Sequence, residues 1–189
     1  MSVALNTPAA QKQYEALHRE AGEVLSFWMN VEVQAQQTFC AALEARNGAA
    51  MKAVFRAAIN ANARLSMTNE AVTHCLEEIA AAELLDEWNS LYARARKLAR
   101  RRNAVAHSQA VIVMGKPKGG VASAVGARLV DPLEDGEFPP NPSKLLVEGI
   151  SVEQLVEMKG RFHSLAFDLQ THREKIYVAQ KQFRASPAQ

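Results

Sequence analysis

Residues 83–107 read ELLDEWNSLYARARKLARRRNAVAH, and this stretch decides the fold. Leu84, Trp88, Leu91, Ala95 and Leu98 return every three or four residues, the spacing that lines one side of an α-helix. The same rhythm predicts the next inward positions at Arg102 and then Val105. A guanidinium on an apolar stripe is costly to bury unless it is paired or hydrated. Arg102 is therefore expected to face a cleft, a partner carboxylate or a subunit boundary.

Upstream, residues 8–46 form one helical pattern. Tyr14, Leu17, Ala21, Val24, Trp28, Val31 and Ala35 recur at heptad-like steps, and Pro8 suits a first turn. Asn47-Gly48 supplies the stop. A second helix is expected over 49–65, with Met51, Val54, Phe55 and Ala58 facing inward. A third is expected over 69–82, with Thr68 as N-cap and Val72, Cys75, Leu76 and Ile79 as its apolar side. One continuous helix over both is the alternative.

After His107 the character changes. Residues 110–114, 128–130 and 144–147 read as short strands, separated by a Gly/Lys/Pro-rich loop at 115–120 and a turn-rich stretch at 131–142. Ser151-Val-Glu-Gln154 is a capping box with Ile150 and Leu155 as its hydrophobic staple. It opens a last helix striped by Met158, Phe162, Leu165, Leu169 and Ile176, with a frayed tail after Phe183. The expected fold is all-α: an up-and-down helical bundle in a single domain over 1–189, with a small irregular or β-hairpin insert at about 108–149. The long stripes on the first and last helices exceed what one small core needs, which points to a homodimer.

The 189 residues are 48% hydrophobic and 22% charged, the balance of an ordinary globular protein. A net charge of +2 selects no class of partner, so local clustering carries the electrostatics. Cys40 and Cys75 fall inside helical patterns without metal-ligand or CxxC spacing, and read as reduced core residues of a cytoplasmic protein. No apolar run nears the ~20 residues of a membrane helix, and residues 1–13 lack the order of a signal peptide. No membrane partner is expected.

His18, His74, His163 and His172 are isolated on helices, match no ligand spacing and are assigned no role. Trp28 and Trp88 read as core. The loop at 115–120 lacks the Gly-Lys-Ser/Thr ending of a phosphate loop, and Glu77-Glu78 and Glu134-Asp135 read as surface charge. Neither a metal nor a cofactor is expected.

The chemistry concentrates at Arg102-Asn103-Ala-Val-Ala-His107, which closes the helix behind Arg94, Arg96, Lys97, Arg100 and Arg101. His107 is the group that exchanges a proton near neutral pH, a general acid or base. Arg102 can hold a phosphate bidentately and stabilise charge in the transition state, while Asn103 can orient the imidazole or a phosphate oxygen. Asn103 and His107 are four apart and share a face, but Arg102 and His107 are five apart, roughly 140° around the helix. One helix does not aim both at one phosphate. Two copies crossing about a two-fold axis would gather two Arg, two Asn and two His in one groove.

This segment resembles the hallmark of the HEPN superfamily: an arginine, usually followed by a polar residue, and then a histidine four to six residues later. Trp88-x-x-Leu91 and Leu98 also look like that superfamily. Arg-x(4–6)-His alone occurs in roughly one chain in two of this size, whereas Arg-Asn-x(3)-His occurs by chance in on the order of 1% of chains. The likeness covers the chain well up to His107 and the last helix loosely, and leaves 108–149 without a counterpart.

The resemblance implies a helical bundle, commonly homodimeric, that cleaves RNA without a metal in a toxin–antitoxin or phage-defence setting. Arg102, Asn103 and His107 are then catalytic. Arg94, Lys97 and Arg101 bind the RNA backbone, and an antitoxin or regulatory protein is a further partner. Where nucleotidyltransferase-controlled toxins often carry a tyrosine two positions after the histidine, this chain has Gln109, which argues against tyrosine AMPylation at that site. The alternatives are a catalytically silent module that binds RNA, nucleotide or a protein, and a purely structural interaction protein.

Overall fold

A computed structural model describes residues 7–44, 47–115, 122–131 and 142–186. Most of the loop expected at 115–120, the Glu134-Asp135 pair and most of the turn-rich 131–142 stretch lie outside the described residues. The elements are α1 (Pro8–Ala42), α2 (Gly48–Ala57), α3 (Ala61–Glu78), α4 (Ala82–His107), β1 (Gln109–Gly115), β2 (Ser123–Val130), α5 (Pro142–Glu148) and α6 (Val152–Ala185). The fold is mostly helical with a two-stranded antiparallel hairpin before the last helix, as the patterning predicts.

Two element readings need correction. The expected boundary near residues 65–69 lies instead at 58–60. Ala58 turns extended, and Asn60 caps α3 by accepting a hydrogen bond from Ala63 N at 2.9 Å. Thr68, the expected N-cap, is buried inside α3, where its hydroxyl donates to the Arg64 carbonyl at 2.9 Å. A threonine that back-bonds one turn earlier relinquishes the capping role. Val54, expected inward, is exposed, and Phe55 alone anchors α2 in the core.

The strand expected at 144–147 is helical instead, within α5. A run as short as Leu145-Leu146-Val147 does not distinguish strand from buried helix by its period. Pro142 preorganises a first helical turn, and Lys144 meets Glu148 at i,i+4. Gly149 follows where a Cβ would stand 2.6 Å from the Leu145 carbonyl oxygen and 2.7 Å from Arg128 Cβ, so only glycine fits without displacement.

The side chains gather into two compact units, and α1, α4 and α6 contribute to both. The first draws on residues 1–26 and 101–160. Its hairpin pairs Gln109 with Val130 and Val113 with Gly126, with a bulge between Val113 and Met114. Leu129 and Ile150 exchange two backbone hydrogen bonds (3.0 and 2.8 Å), which fastens β2 to the segment entering α6. The Gln13 side chain of α1 accepts from Ala127 N at 3.2 Å. Leu17, Val24, Val105, Val113, Leu129 and Leu155 are buried here. Glu20, also buried, is held by Lys159 at 2.5 Å, and that bond keeps its carboxyl below the usual range against the opposing effect of burial.

The second unit draws on residues 27–100 and 161–189. Contacts of Glu32 with Arg64 and of Ala35 with Thr68 show that α1 and α3 run the same way. Trp28 with Phe162, Gln34 with Arg173 and Ala41 with Gln180 show the same for α1 and α6. Pairs Trp88–Asn69 and Tyr92–Ser66, with Lys175–Glu87 and Arg94–Asp168, set α4 antiparallel to α3 and α6. Trp28 and Phe162 meet edge to face with centroids 5.1 Å apart, and Trp88 is as deeply buried. Both tryptophans are core, as read. The capping box of α6 forms: Gln154 N donates to Ser151 Oγ at 3.3 Å, and Ser151 N donates to Gln154 Oε1 at 2.8 Å.

Candidate functional site

Helix α4 stays helical through His107, so the periodicity argument for this segment applies to its end. The Ser108 hydroxyl stops it by donating to the Ala104 carbonyl at 2.6 Å, and the chain leaves directly into β1. His107 is exposed in the last turn, Arg102 and Asn103 are half-buried, and Val105 is fully buried between them. An apolar anchor between polar neighbours fixes how the segment is presented.

Arg102 lies where the stripe predicts. Its Nη1 donates to Asn103 Oδ1 at 3.2 Å, while its Nε is buried with no hydrogen-bond partner among the described residues. A partner carboxylate, one of the three surroundings expected for Arg102, is not found among the described residues. Instead the neighbouring amide steadies one edge of the guanidinium and leaves Nη2 for a further acceptor. His107 and Arg101 are exposed, and neither is engaged by an ion pair or hydrogen bond among the described residues.

The nearby cavity of this unit, about 220 Å³, is lined by Ala104, Ser108, Asp131, Lys144 and Glu148 among others, and not by Arg102, Asn103 or His107. Of the three, His107 is open to solvent, while Arg102 and Asn103 are half-buried outside this cavity.

In the second unit, Arg94 is ion-paired with Asp168 across to α6, while Lys97 is exposed and unpaired among the described residues. Arg96 lies over the Tyr92 ring at 5.8 Å. Of the residues expected to hold an RNA backbone, Lys97 and Arg101 are thus unpaired among the described residues, and Arg94 has a resident partner.

The reading that gave His172 no role misses its environment. The residue continues the Leu165–Leu169–Ile176 rhythm, a signal present in the sequence, and it is buried. His18, His74 and His163 are exposed, and Glu77 and Glu78 are surface residues as read. Cys40 and Cys75 are free thiols, and burial pushes both above the usual thiol range. No described helix is long and apolar enough to cross a membrane.

No family model, curated protein or solved structure matches this chain.

Proposed function

We propose that this chain is a HEPN-like metal-independent RNA endonuclease, working as a homodimer with a composite groove built from Arg102, Asn103 and His107 of both copies. The observation that carries the reading is the end of α4, where an exposed imidazole follows a half-buried arginine whose guanidinium is steadied by the adjacent amide. Exposed apolar side chains on α1 (Met29, Val33) and α6 (Phe167, Tyr177) supply surface for a second copy.

The chemistry needs no group beyond the RNA and these side chains. One His107 removes the proton of a 2′-hydroxyl, whose oxygen attacks the adjacent phosphorus. The P–O5′ bond breaks, and the other His107, protonated, gives its proton to the departing 5′-oxygen. The Arg102 guanidinium stabilises the charge on the non-bridging oxygens. The products are a 2′,3′-cyclic phosphate and a 5′-hydroxyl. Lys97 and Arg101 add sequence-independent, salt-sensitive attraction for the backbone. A toxin–antitoxin or phage-defence setting, with an antitoxin or regulator as partner, follows from the same resemblance.

A second reading, a silent module that binds RNA, nucleotide or a protein, is favoured by one observation. Asn103 already occupies part of the Arg102 guanidinium. The test is a time course with end-labelled RNA in EDTA, wild type beside His107→Ala. Cyclic-phosphate ends that form with the wild type and vanish with the variant support the nuclease. Salt-dependent RNA binding without product, at equal folding, supports the silent module.

A further inference from the structure

In the second unit, the seam between α4 and α6 carries a cluster that the RNA-cleavage reading does not use. Glu87 and Arg94 are two turns apart on α4, as are Asp168 and Lys175 on α6. Antiparallel packing closes two ion pairs, Lys175–Glu87 at 2.7 Å and Arg94–Asp168. A cavity of about 490 Å³ is lined by these four residues together with Ser90, Leu91, Thr171 and His172.

His172 is 2% exposed and lies stacked on Trp88, with centroids 5.7 Å apart and planes at 25°. Neither of its ring nitrogens has a hydrogen-bond partner among the described residues. A neutral imidazole has one donor and one acceptor, and burying both unmet is unfavourable. The Glu87 Oε2 atom stands 3.5 Å from Nδ1, but the same oxygen already receives Lys175.

We propose that His172 is a proton-operated switch whose protonation opens the α4–α6 cleft and lifts the imidazole off Trp88. The facing charges explain the direction. From α4 come Glu87 and Arg94, from α6 Asp168 and Lys175, and α3 presents the neutral Asn69 through its bond to the Trp88 indole. Each carboxylate is matched by a cation, so no spare negative charge awaits an imidazolium. Burial lowers the basicity of the ring, Glu87 works against it, and Lys175 adds to the lowering. The closed cleft therefore binds fewer protons than an open one in which the ring is hydrated. It stays closed above the ordinary histidine range of about 6.5 and opens as pH falls below it. This switch stands independently of the nuclease reading.

The test follows the indole Nε1–H resonance of Trp88 and the ring carbons of His172 in the full chain from neutral to mildly acidic pH, with far-UV circular dichroism alongside. The expected result is a joint, reversible shift of both signals through one midpoint with helix content retained. Glu87→Gln removes one of the two ion pairs that close the cleft, so the closed form is less favoured and that midpoint moves to higher pH. His172→Gln leaves the Trp88 signal flat. A Trp88 signal that stays still while His172 titrates, or that shifts equally in His172→Gln, overturns the switch. So does loss of helix content together with the Trp88 shift. If a variant fails to fold, the joint titration in the wild type decides.

Discussion

Arg102 occupies a stripe position that in a purely structural helix would belong to leucine, and its Nε is buried without a partner among the described residues. Replacing a half-buried cation that has a buried unmet donor with an apolar side chain of similar bulk is commonly neutral or stabilising. Arg102→Leu is therefore expected to raise stability by about 1 kcal/mol, a Tm increase of about 2–4 °C, while abolishing the proposed RNA cleavage. Calorimetry on the wild type and variant checks this, and a lower Tm for the leucine variant would show that the guanidinium holds the fold. Arg102 was legible because a three-four rhythm fixes which positions face inward. Its contact with Asn103 was not, because adjacent helical residues diverge and only the reach of the guanidinium brings them together. His172 was hidden for a different reason. Its surroundings, Glu87 and Trp88, come from a helix far away in the chain, and no local pattern joins them.

At the scale of elements, the end of α3 carries a strain that can be measured. Ala80 has φ 53° and sits at the turn where Ala81 N reaches back to the Leu76 carbonyl at 2.9 Å and Ala80 N to that of Glu77 at 3.1 Å. This double bond pattern is the one in which glycine is preferred, because a Cβ in the left-handed region costs about 1–2 kcal/mol. Glycine in turn is more flexible when unfolded, which offsets part of the gain. Ala80→Gly is expected to stabilise the chain by about 0.5–1 kcal/mol. The urea midpoint should rise with unchanged slope, and an unchanged or lower midpoint would mean that α3 ends without appreciable strain. The elements that were easiest to read, α1, α4 and α6, have stripes many turns long and, for α6, a capping box. The α2–α3 junction misled because Asn60 and Thr68 are both good caps and only packing shows which one is used. The hairpin was legible at its start and end, whereas α5 was not, since the three apolar residues Leu145 to Val147 fit either period.

For the whole molecule, the decisive property of the proposed nuclease is that its groove requires two copies. Along one ideal helix Arg102 and His107 diverge by roughly 140°, and α4 is helical to its last residue. A single chain thus lacks the means to aim both groups at one phosphate from α4 alone. Arg102→Ala and His107→Ala should each be inactive as pure proteins. Mixed after unfolding and refolding together, about half of the dimers should carry one chain of each kind, and each such groove retains one arginine and one histidine. If attack and departure need two histidines, recovery will be partial, limited to the step that the remaining imidazole serves. If a single histidine suffices, the mixture should approach half the wild-type rate. Native mass spectrometry would establish that mixed dimers form. Complete inactivity of a mixture proven to contain them would sink the shared groove, and equal activity of isolated monomers would do so by the opposite route.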